Sequence, residues 1–303
     1  MKYVPVIKPP ALRPGDLVGV IAPAGRVNES DLEPGLKILE SSGFEVRLGA
    51  HVLDGIGYTA GNDTARLEDF HSMFLDRDIK AIFCARGGYG SLRLLDKINY
   101  GLIRENPKII LGYSDIIALL LAIQKRCGLA TFHGPMVREF NRMDRENWEI
   151  LITTLSTGGP LSVNLGAGKV LISGRATGRL VGGNLSIICH LLGTPFFPSL
   201  EGCILFLEEK GEAPYRLDRM LTHLALSGQL QGLSGLVAGD FEECGDDAII
   251  NGLLTDIFSD LGIPLATGLP VGHGRKNLVL PIGITAELDT GHMTLSITET
   301  CVD

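Results

Sequence analysis

The sequence predicts an α/β fold with two domains, a parallel-sheet βα domain followed by a mixed α/β domain. In the first half, short and continuous apolar runs alternate with amphipathic helical patterns, which is typical of parallel strands covered on both faces. Around residues 155–175 this alternation gives way to a segment rich in Gly and Ser. We therefore expect an N-terminal domain over 1–156, a linker over 157–174 and a C-terminal domain over 175–303.

The elements of the N-terminal half follow in regular order. "DLVGVIAPAG" predicts a strand, and "SDLEPGLKILESSG" predicts a helix with Ser30 as N-cap and Gly43 just past its end. The strand "FEVRLGAHV" and the amphipathic helix "NDTARLEDFHSMFLD" come next. "KAIFCA" predicts a buried strand that leads through "RGGYG" into a helix capped by Ser91. "KIILGY" predicts a second buried strand, and a helix begins at Asp115.

The C-terminal half has a different order of predicted helices and strands. "LVGGNLSIICHLLGT" predicts a helix entered through Gly-Gly-Asn, and "CILFLEE" predicts a buried strand. "YRLDRMLTHLALSG" and "INGLLTDIFSDLG" predict helices on either side of the strand "GLVAGDF". "NLVLPIGITAELD" and "HMTLSIT" close the chain as β-structure, so we expect a mixed sheet here.

Composition narrows the class of protein. The chain has 303 residues, 45% of them hydrophobic, and a formal net charge of −8 without a Lys/Arg cluster. This charge disfavours nucleic acid and anionic membranes as partners. The first residues lack the apolar core of a signal peptide, so we expect a cytoplasmic protein. The six cysteines form no CxxC pair and no HExxH motif is present, so we expect reduced thiols and no metal.

Ser114 is the first candidate for chemistry, because it lies where a predicted strand meets a predicted helix. In α/β hydrolases, a strained turn of this kind exposes a nucleophilic serine beside backbone N–H groups. The G-x-S-x-G signature is incomplete: Gly112 is present, but Ile116 occupies the last position. The alternative is an ordinary helix N-cap, a position that serine favours. The pattern leaves both interpretations open.

"RGGYG" at 86–90 also follows a strand and opens a helix. Its paired glycines would let backbone N–H groups converge on an anion. The alternative is a tight turn without a ligand, and no G-x-G-x-x-G fingerprint supports a dinucleotide site. If Ser114 attacks a carbonyl group, this neighbouring strand end is the natural place for oxyanion donors.

A serine nucleophile needs a base and a residue that orients the base. His133 and His273 lie in Gly-containing loops near predicted strand ends, whereas the other histidines have no such surroundings. For the orienting carboxylate, Glu208 and Glu209 end a buried strand and point to opposite faces. Asp240, after another strand, is a rival. The residues alone do not choose among these candidates.

Taken together, these motifs resemble the LD-carboxypeptidases, the serine peptidases that trim muropeptides. The resemblance covers nearly the whole chain. The segments that carry it are "LRPGDLVGVIAPAG", "AIFCARGGYGSLRLL", "LGYSDIIALL", "LVGGNLS", "LFLEEKGEAPYRLDRMLTHL" and "GLPVGHGRKNLVLPIG", in the family's order. The family often has Ser where Ala24 stands here. The resemblance implies an active site at the cleft between the two domains.

The resemblance also implies the role of each site residue. Ser114 is implied to be the nucleophile, Glu208 the orienting carboxylate and His273 the general base. Backbone N–H groups of Gly88 and Asp115 would hold the oxyanion. Two arginines, Arg86 and Arg275, are candidates for binding a substrate carboxylate.

The implied reaction releases terminal D-alanine from murein tetrapeptides during cell-wall recycling. It uses an acyl-enzyme and needs neither metal nor cofactor, and family members are commonly dimers.

Three alternatives stay open at this point. One is a microcin-immunity hydrolase of the same superfamily, which cleaves aminoacyl-nucleotide amides. Those relatives are implied to carry an added loop with an aromatic residue, whereas the one tryptophan here, Trp148, precedes the linker. A second alternative is a two-domain ligand-binding protein without chemistry. The third is an amidohydrolase using Cys84, which we disfavour because Cys84 lies inside a strand pattern.

Overall fold

The computed structural model describes residues 6–303 and divides the chain into two compact units. The first unit contains the chain up to Gly158 and two later returns, Leu278–Pro281 and Cys301–Asp303. The second unit contains Gly159–Asn277 and Ile282–Thr300. The last residues of the chain therefore pack with the first unit, which no local pattern in the sequence indicates.

A six-stranded sheet forms the core of the first unit, with strand order β12-β5-β4-β3-β1-β2. Strands β1 to β5 pair in parallel, as the continuous apolar runs of β1, β3 and β4 predict. Strand β2 is mostly exposed, and β5 had no strand prediction. The strands are β1 (Leu17–Ile21), β2 (Glu45–Leu48), β3 (Ile79–Cys84), β4 (Ile109–Gly112), β5 (Thr131–His133) and β12 (Leu280–Ile282).

Five α-helices accompany this sheet: α1 (Glu29–Ser41), α2 (Asp63–Leu75), α3 (Tyr100–Glu105), α4 (Ile117–Cys127) and α5 (Arg145–Thr157). Two predicted caps differ from the structure. Helix α1 starts after Asn28, so Ser30 lies inside the helix, although Gly43 does follow its end with a φ of +88°. Ser91 opens only a short 3₁₀ helix, Ser91–Leu94.

An eight-stranded mixed sheet forms the core of the second unit, with strand order β6-β14-β13-β8-β9-β10-β11-β7. Its middle strands β8 to β11 are parallel, and antiparallel strands flank them on both sides. The strands are β6 (Leu161–Asn164), β7 (Val170–Ile172), β8 (Arg175–Asn184), β9 (Cys203–Lys210), β10 (Gly235–Glu242), β11 (Leu265–Thr267), β13 (Thr285–Asp289) and β14 (Thr294–Ile297). Residues 157–174, which we expected as a linker, thus include both edge strands of this sheet.

The helices of the second unit are α6 (Leu185–Leu191), α7 (Pro214–Leu226) and α8 (Asp247–Phe258). Helix α6 is shorter than predicted, because the "LVGGN" segment ends strand β8. Gly182 pairs with Phe206, and a Cβ atom at Gly182 would collide with that residue, so glycine permits this strand pairing. Asn184 then caps α6 by accepting a hydrogen bond from the Ile187 N–H group.

All six cysteines are free thiols, and five of them are buried. Burial raises the pKa of the Cys84 thiol far above its usual range. Such a thiol is a poor nucleophile at neutral pH, which counts against an amidohydrolase using Cys84. Across residues 6–303, no helix has the length and apolarity needed to cross a bilayer.

Candidate active site

Three loops leave the first sheet at the carboxyl ends of neighbouring strands β1, β3 and β4. They carry Gly25, the glycine loop (Arg86–Gly90) and the serine turn (Tyr113–Ile116). The Gly25 N–H group donates a hydrogen bond of 3.0 Å to the Gly87 carbonyl oxygen. In parallel sheets this edge is where ligands bind, because the loops from adjacent strands converge there.

Ser114 has a left-handed backbone with a φ of +60°, one of three non-glycine residues with positive φ among residues 6–303. This conformation costs free energy and often occurs at functional sites. The N-cap residues here are Tyr113 for the 3₁₀ turn and Ile116 for α4, so the helix-cap interpretation of Ser114 is wrong. A Cβ atom at Gly112 would lie 2.8 Å from the Ile116 side chain. Gly112 therefore accommodates the bulky residue that replaces the usual second glycine.

The glycine loop contacts the side chain of Ser114. A Cβ atom at Gly87 would lie 2.9 Å from Ser114 Cβ and 3.1 Å from its Oγ, so a larger residue would displace the serine. Gly88 is exposed, has a φ of +112°, and its N–H group donates no hydrogen bond within residues 6–303. An N–H group in this state is available to a ligand anion.

Asp115 joins the serine turn to the end of the glycine loop. Its buried carboxylate accepts a 2.9 Å hydrogen bond from the Ser91 N–H group, and its carbonyl oxygen accepts one of 2.5 Å from Ser91 Oγ. These two bonds hold Ser91, which follows the glycine loop, against Asp115, which follows Ser114. Ser91 was predicted as a helix cap, and its groups are used for this connection instead.

Arg86 and Arg275 occupy different environments. The Arg86 Nη1 group donates to the Arg26 carbonyl oxygen at 2.9 Å, and its buried Nε has no partner within residues 6–303. Burial lowers the pKa of Arg86, and the nearby positive charge of Arg138 lowers it further. Arg275 is exposed. No sequence motif indicated a role for Arg138, because only the fold brings its charge near Arg86.

In the second unit, Glu208 and His273 form a carboxylate–imidazole pair. Nδ1 of His273 lies 2.8 Å from Oε2 of Glu208, which is fully buried at the end of β9. Burial raises the pKa of Glu208, and its hydrogen bond with His273 opposes that rise. The other carboxylate oxygen, Oε1, has no hydrogen-bond partner within residues 6–303. With Nδ1–H donating to Glu208, Nε2 is the nitrogen that can accept a proton.

Close packing explains the two glycines beside His273. Gly272 has a φ of +120°, and a Cβ atom there would lie 2.9 Å from the Glu208 side chain. A Cβ atom at Gly274 would collide with the carboxylate of Asp240. The histidine loop can therefore approach both acidic residues only without side chains at these positions.

The structure separates the three acidic candidates. Glu209 accepts hydrogen bonds from the Asn184 side chain (2.8 Å) and the Ser186 N–H group (2.7 Å), so it anchors α6. Burial raises the pKa of Asp240 to about 6, and the nearby negative charges of Glu242 and Glu208 contribute. Of the three, Glu208 has a hydrogen bond with the imidazole of His273.

His133, the other candidate base, lies at the end of β5 in the first unit and is completely buried. Its ring meets the ring of Tyr113 edge to face, with centroids 5.7 Å apart. The Tyr113 hydroxyl group donates a 2.7 Å hydrogen bond to Glu139. His133 thus packs behind the serine turn as part of its support.

The first unit thus contains a serine with a strained backbone, and the second contains an imidazole oriented by a carboxylate. Comparisons with known proteins identify the family of the chain. The LD-carboxypeptidase N-terminal domain profile matches residues 18–134, and the LD-carboxypeptidase C-terminal domain profile matches residues 177–288. The chain belongs to the LD-carboxypeptidase family.

Individual relatives support this assignment. A probable murein peptide carboxypeptidase of Bacillus subtilis is 38% identical, over 96% of this chain and 94% of the relative. The structure of muramoyltetrapeptide carboxypeptidase from Oxalobacter formigenes is 31% identical with a TM-score of 0.82, covering 92% of this chain and 97% of that one. The structure of an MccF-like protein from Bacillus anthracis is 28% identical with a TM-score of 0.90, covering 97% of this chain and 100% of that one.

Proposed function

We propose that this protein is a serine-type LD-carboxypeptidase that releases terminal D-alanine from murein tetrapeptides. The observation that carries the proposal is the 2.8 Å pair of Glu208 and His273, which leaves Nε2 as the proton acceptor. The left-handed backbone of Ser114 supports it, because nucleophilic serines on strand–helix turns adopt such strained conformations. Relatives named for murein peptides support the choice of substrate.

In the proposed first step, His273 removes the hydroxyl proton of Ser114, and Oγ attacks the carbonyl carbon of the last peptide bond. Backbone N–H groups of Gly88 and Asp115 stabilise the negative oxygen of the tetrahedral intermediate. The intermediate then collapses, His273 donates its proton to the leaving amino group of D-alanine, and the peptide stays on Ser114 as an ester. Water, activated by the same imidazole, hydrolyses the ester.

Glu208 serves this cycle in two ways. Its hydrogen bond holds His273 in the tautomer with Nδ1–H toward the carboxylate. Its negative charge also stabilises the imidazolium that forms when Ser114 loses its proton. The cost of burying this carboxylate is reflected in its raised pKa, and the charged imidazolium offsets that cost during the reaction.

For the terminal carboxylate of the substrate, Arg86 is a better candidate than Arg275. Arg86 lies in the glycine loop that contacts Ser114, its side chain is half-buried, and the charges of Arg138, Asp31 and Glu139 act on its guanidinium group. A guanidinium group held in this position can bind a carboxylate through two N–H groups. Arg275 is exposed to solvent and has no such preorganisation.

Mass spectrometry of purified protein with a disaccharide tetrapeptide tests the proposal, with Ser114→Ala as the comparison. We expect the wild type to release one alanine and the variant to lose activity by at least about 10⁴-fold. A serine-directed phosphonate should label the wild type at Ser114. If the wild type neither cleaves the peptide nor reacts with the phosphonate, the proposed function is wrong and a ligand-binding protein is favoured.

The second candidate is hydrolysis of aminoacyl-nucleotide amides, because the MccF-like structure has the higher TM-score, 0.90 against 0.82. The murein carboxypeptidases are preferred, since they are the more similar in sequence. An aminoacyl-sulfamoyl adenosine offered in a parallel reaction separates the two. Cleavage of this compound alone would move the protein to the microcin-immunity branch.

A role in cell-wall recycling, a homodimer and an active site at the junction of the two domains remain predictions that rest on family resemblance, and a cytoplasmic location remains a prediction from the first residues of the sequence. Light scattering of the purified protein measures the oligomeric state. Fractionation of cells that express the protein at its natural level measures its location.

A further inference from the structure

Two exposed tyrosines form an aromatic platform (Tyr58 and Tyr89), and Tyr89 belongs to the glycine loop that contacts Ser114. Tyr58 is 67% exposed and Tyr89 is 47% exposed, and their rings meet edge to face with centroids 5.2 Å apart. Ile56, which is 59% exposed, lies two residues before Tyr58. Neighbouring exposed aromatic rings offer a ligand a large and rigid contact area.

Backbone hydrogen bonds fix the turn that carries Tyr58. Tyr58 lies in a tight turn in which Ile56 and Thr59 exchange two backbone hydrogen bonds of 3.0 and 3.1 Å. Its carbonyl oxygen accepts a further bond of 3.2 Å from the Arg26 N–H group. A Cβ atom at Gly90 would lie 3.1 Å from the Thr59 methyl group, so this turn packs against the glycine loop. A platform built in advance binds with a smaller entropic cost.

Chain connectivity limits how far the platform lies from the glycine that contacts the proposed nucleophile. Tyr89 is two residues after Gly87, which contacts Ser114, so its Cα atom is within about 8 Å of the Gly87 Cα atom. The Tyr58 ring centre is 5.2 Å from that of Tyr89. In an extended murein tetrapeptide, the residues between the scissile bond and the sugar span roughly 10 Å or more. The sugar end of a substrate therefore falls within reach of the platform.

We propose that Tyr58 and Tyr89 bind the amino-sugar rings of muropeptide substrates, an inference that rests on the proposed function. The electron-rich face of a phenol ring packs well against the C–H groups of a sugar ring, and phenol hydroxyl groups can form hydrogen bonds with its polar substituents. A groove of about 600 Å³ continues from Tyr58 and is also lined by Asn62, Arg93 and Lys97. Asp63 also lines the groove, and its carboxylate accepts hydrogen bonds from Arg93 Nε at 2.8 Å and Lys97 Nζ at 3.3 Å. The remaining N–H groups of these cations and the side-chain amide of Asn62 are donors for sugar hydroxyl and acetamido groups.

The test compares two substrates, the free tetrapeptide and the same tetrapeptide attached to N-acetylglucosaminyl–N-acetylmuramic acid. We expect the wild type to have the higher kcat/KM for the disaccharide substrate. Tyr58→Ala should reduce that advantage about tenfold, chiefly through KM, and Tyr58→Phe should retain most of it because the ring remains. Leu75→Ala, another exposed apolar residue in the first unit, is the matched control and should change neither substrate.

Equal losses on both substrates, or no loss on either, would overturn the platform while leaving carboxypeptidase activity in place. Equal kcat/KM values of the wild type for the two substrates would also overturn the proposed role of the platform. If the wild type cleaves neither substrate, a binding experiment tests the platform instead. NMR then measures binding of the disaccharide alone to Ser114→Ala and to the double variant that also carries Tyr58→Ala. Tyr58-dependent binding supports the platform. Absence of binding, or Tyr58-dependent binding of adenosine monophosphate only, refutes it.

Discussion

The serine turn and the carboxylate–imidazole pair solve different physical problems. Around Ser114, the structure relies on backbone: a left-handed serine, glycines without side chains, and an available N–H group at Gly88. Around His273, it relies on a buried carboxylate, because Glu208 is fully enclosed and its hydrogen-bonded oxygen contacts the imidazole. The first region should therefore be sensitive to small changes in shape, and the second to changes in charge.

Apart from loss of Ser114 itself, the largest effect should come from removing the negative charge of Glu208. Glu208→Gln keeps the size of the side chain and an acceptor for Nδ1–H, but loses the negative charge that stabilises the imidazolium. We expect kcat for D-alanine release to fall by about 10³–10⁴-fold.

The matched control is Glu209→Gln, the next residue on the opposite face of β9. Because Glu209 anchors α6, its variant should lower the melting temperature and leave kcat within a few-fold. Similar kcat values for both variants would contradict the role of Glu208.

Shape can be tested within the second unit at Gly272. Gly272→Ala places a methyl group 2.9 Å from Glu208 at a φ of +120°, so we expect a loss of about 3 kcal/mol in the free energy of unfolding and a lower kcat. Gly262→Ala is the control, because Gly262 has a φ of +62° and no atom near its missing Cβ. It should cost about 1 kcal/mol without an effect on kcat. Denaturant unfolding of both variants measures the difference, and equal costs would show that contact with Glu208 is unimportant.

The backbone argument for the first region can be tested at Asp115. Asp115→Ala leaves the buried Ser91 N–H group without its acceptor, a cost of about 1–3 kcal/mol that loosens the glycine loop. We expect kcat to fall about 10- to 100-fold with a smaller change in KM, because the oxyanion donors are displaced. Asp115→Asn retains an acceptor and should recover most of the rate. If Asn fails as badly as Ala, the charge of Asp115 matters more than its hydrogen bond.

The smallest effect concerns pH and Asp240. Its pKa is raised from 3.8 to about 6, so the folded state binds this proton more tightly than the unfolded state. The associated stability is present below pH 4 and is lost as the pH rises through about 6. Because the group is only half-buried, we expect a loss on the order of 1 kcal/mol. Asp240→Asn should remove this loss, and Asp260→Asn, an exposed control, should retain it. Thermal unfolding at pH 4, 5, 6 and 7 provides the measurement.

Much of the first unit could be predicted, because its strands are buried on both faces and its helices carry one apolar stripe. The parallel pairing of β1, β3 and β4 follows from these patterns and places the glycine loop beside the serine turn. The short α6 helix was harder, since "LVGGN" has no helical signal that distinguishes it from a strand end. The residues expected as a linker were also misleading, because short edge strands with few apolar residues resemble loops.

By itself, the sequence determined the two-domain α/β class, the family, and the chemically capable residues, since motifs and hydrophobic periodicity are local properties of the chain. Only the tertiary structure decided which of these residues meet. Glu208 and His273 are 65 residues apart in sequence. Glu209 and Asp240 also carry carboxylates at the ends of predicted strands, so the residues alone did not show which carboxylate contacts the imidazole. The strand faces and the glycines around His273 bring its imidazole to Glu208, because long-range pairing depends on packing that no local pattern encodes. The same holds for Arg138 beside Arg86 and for Tyr58 beside Tyr89.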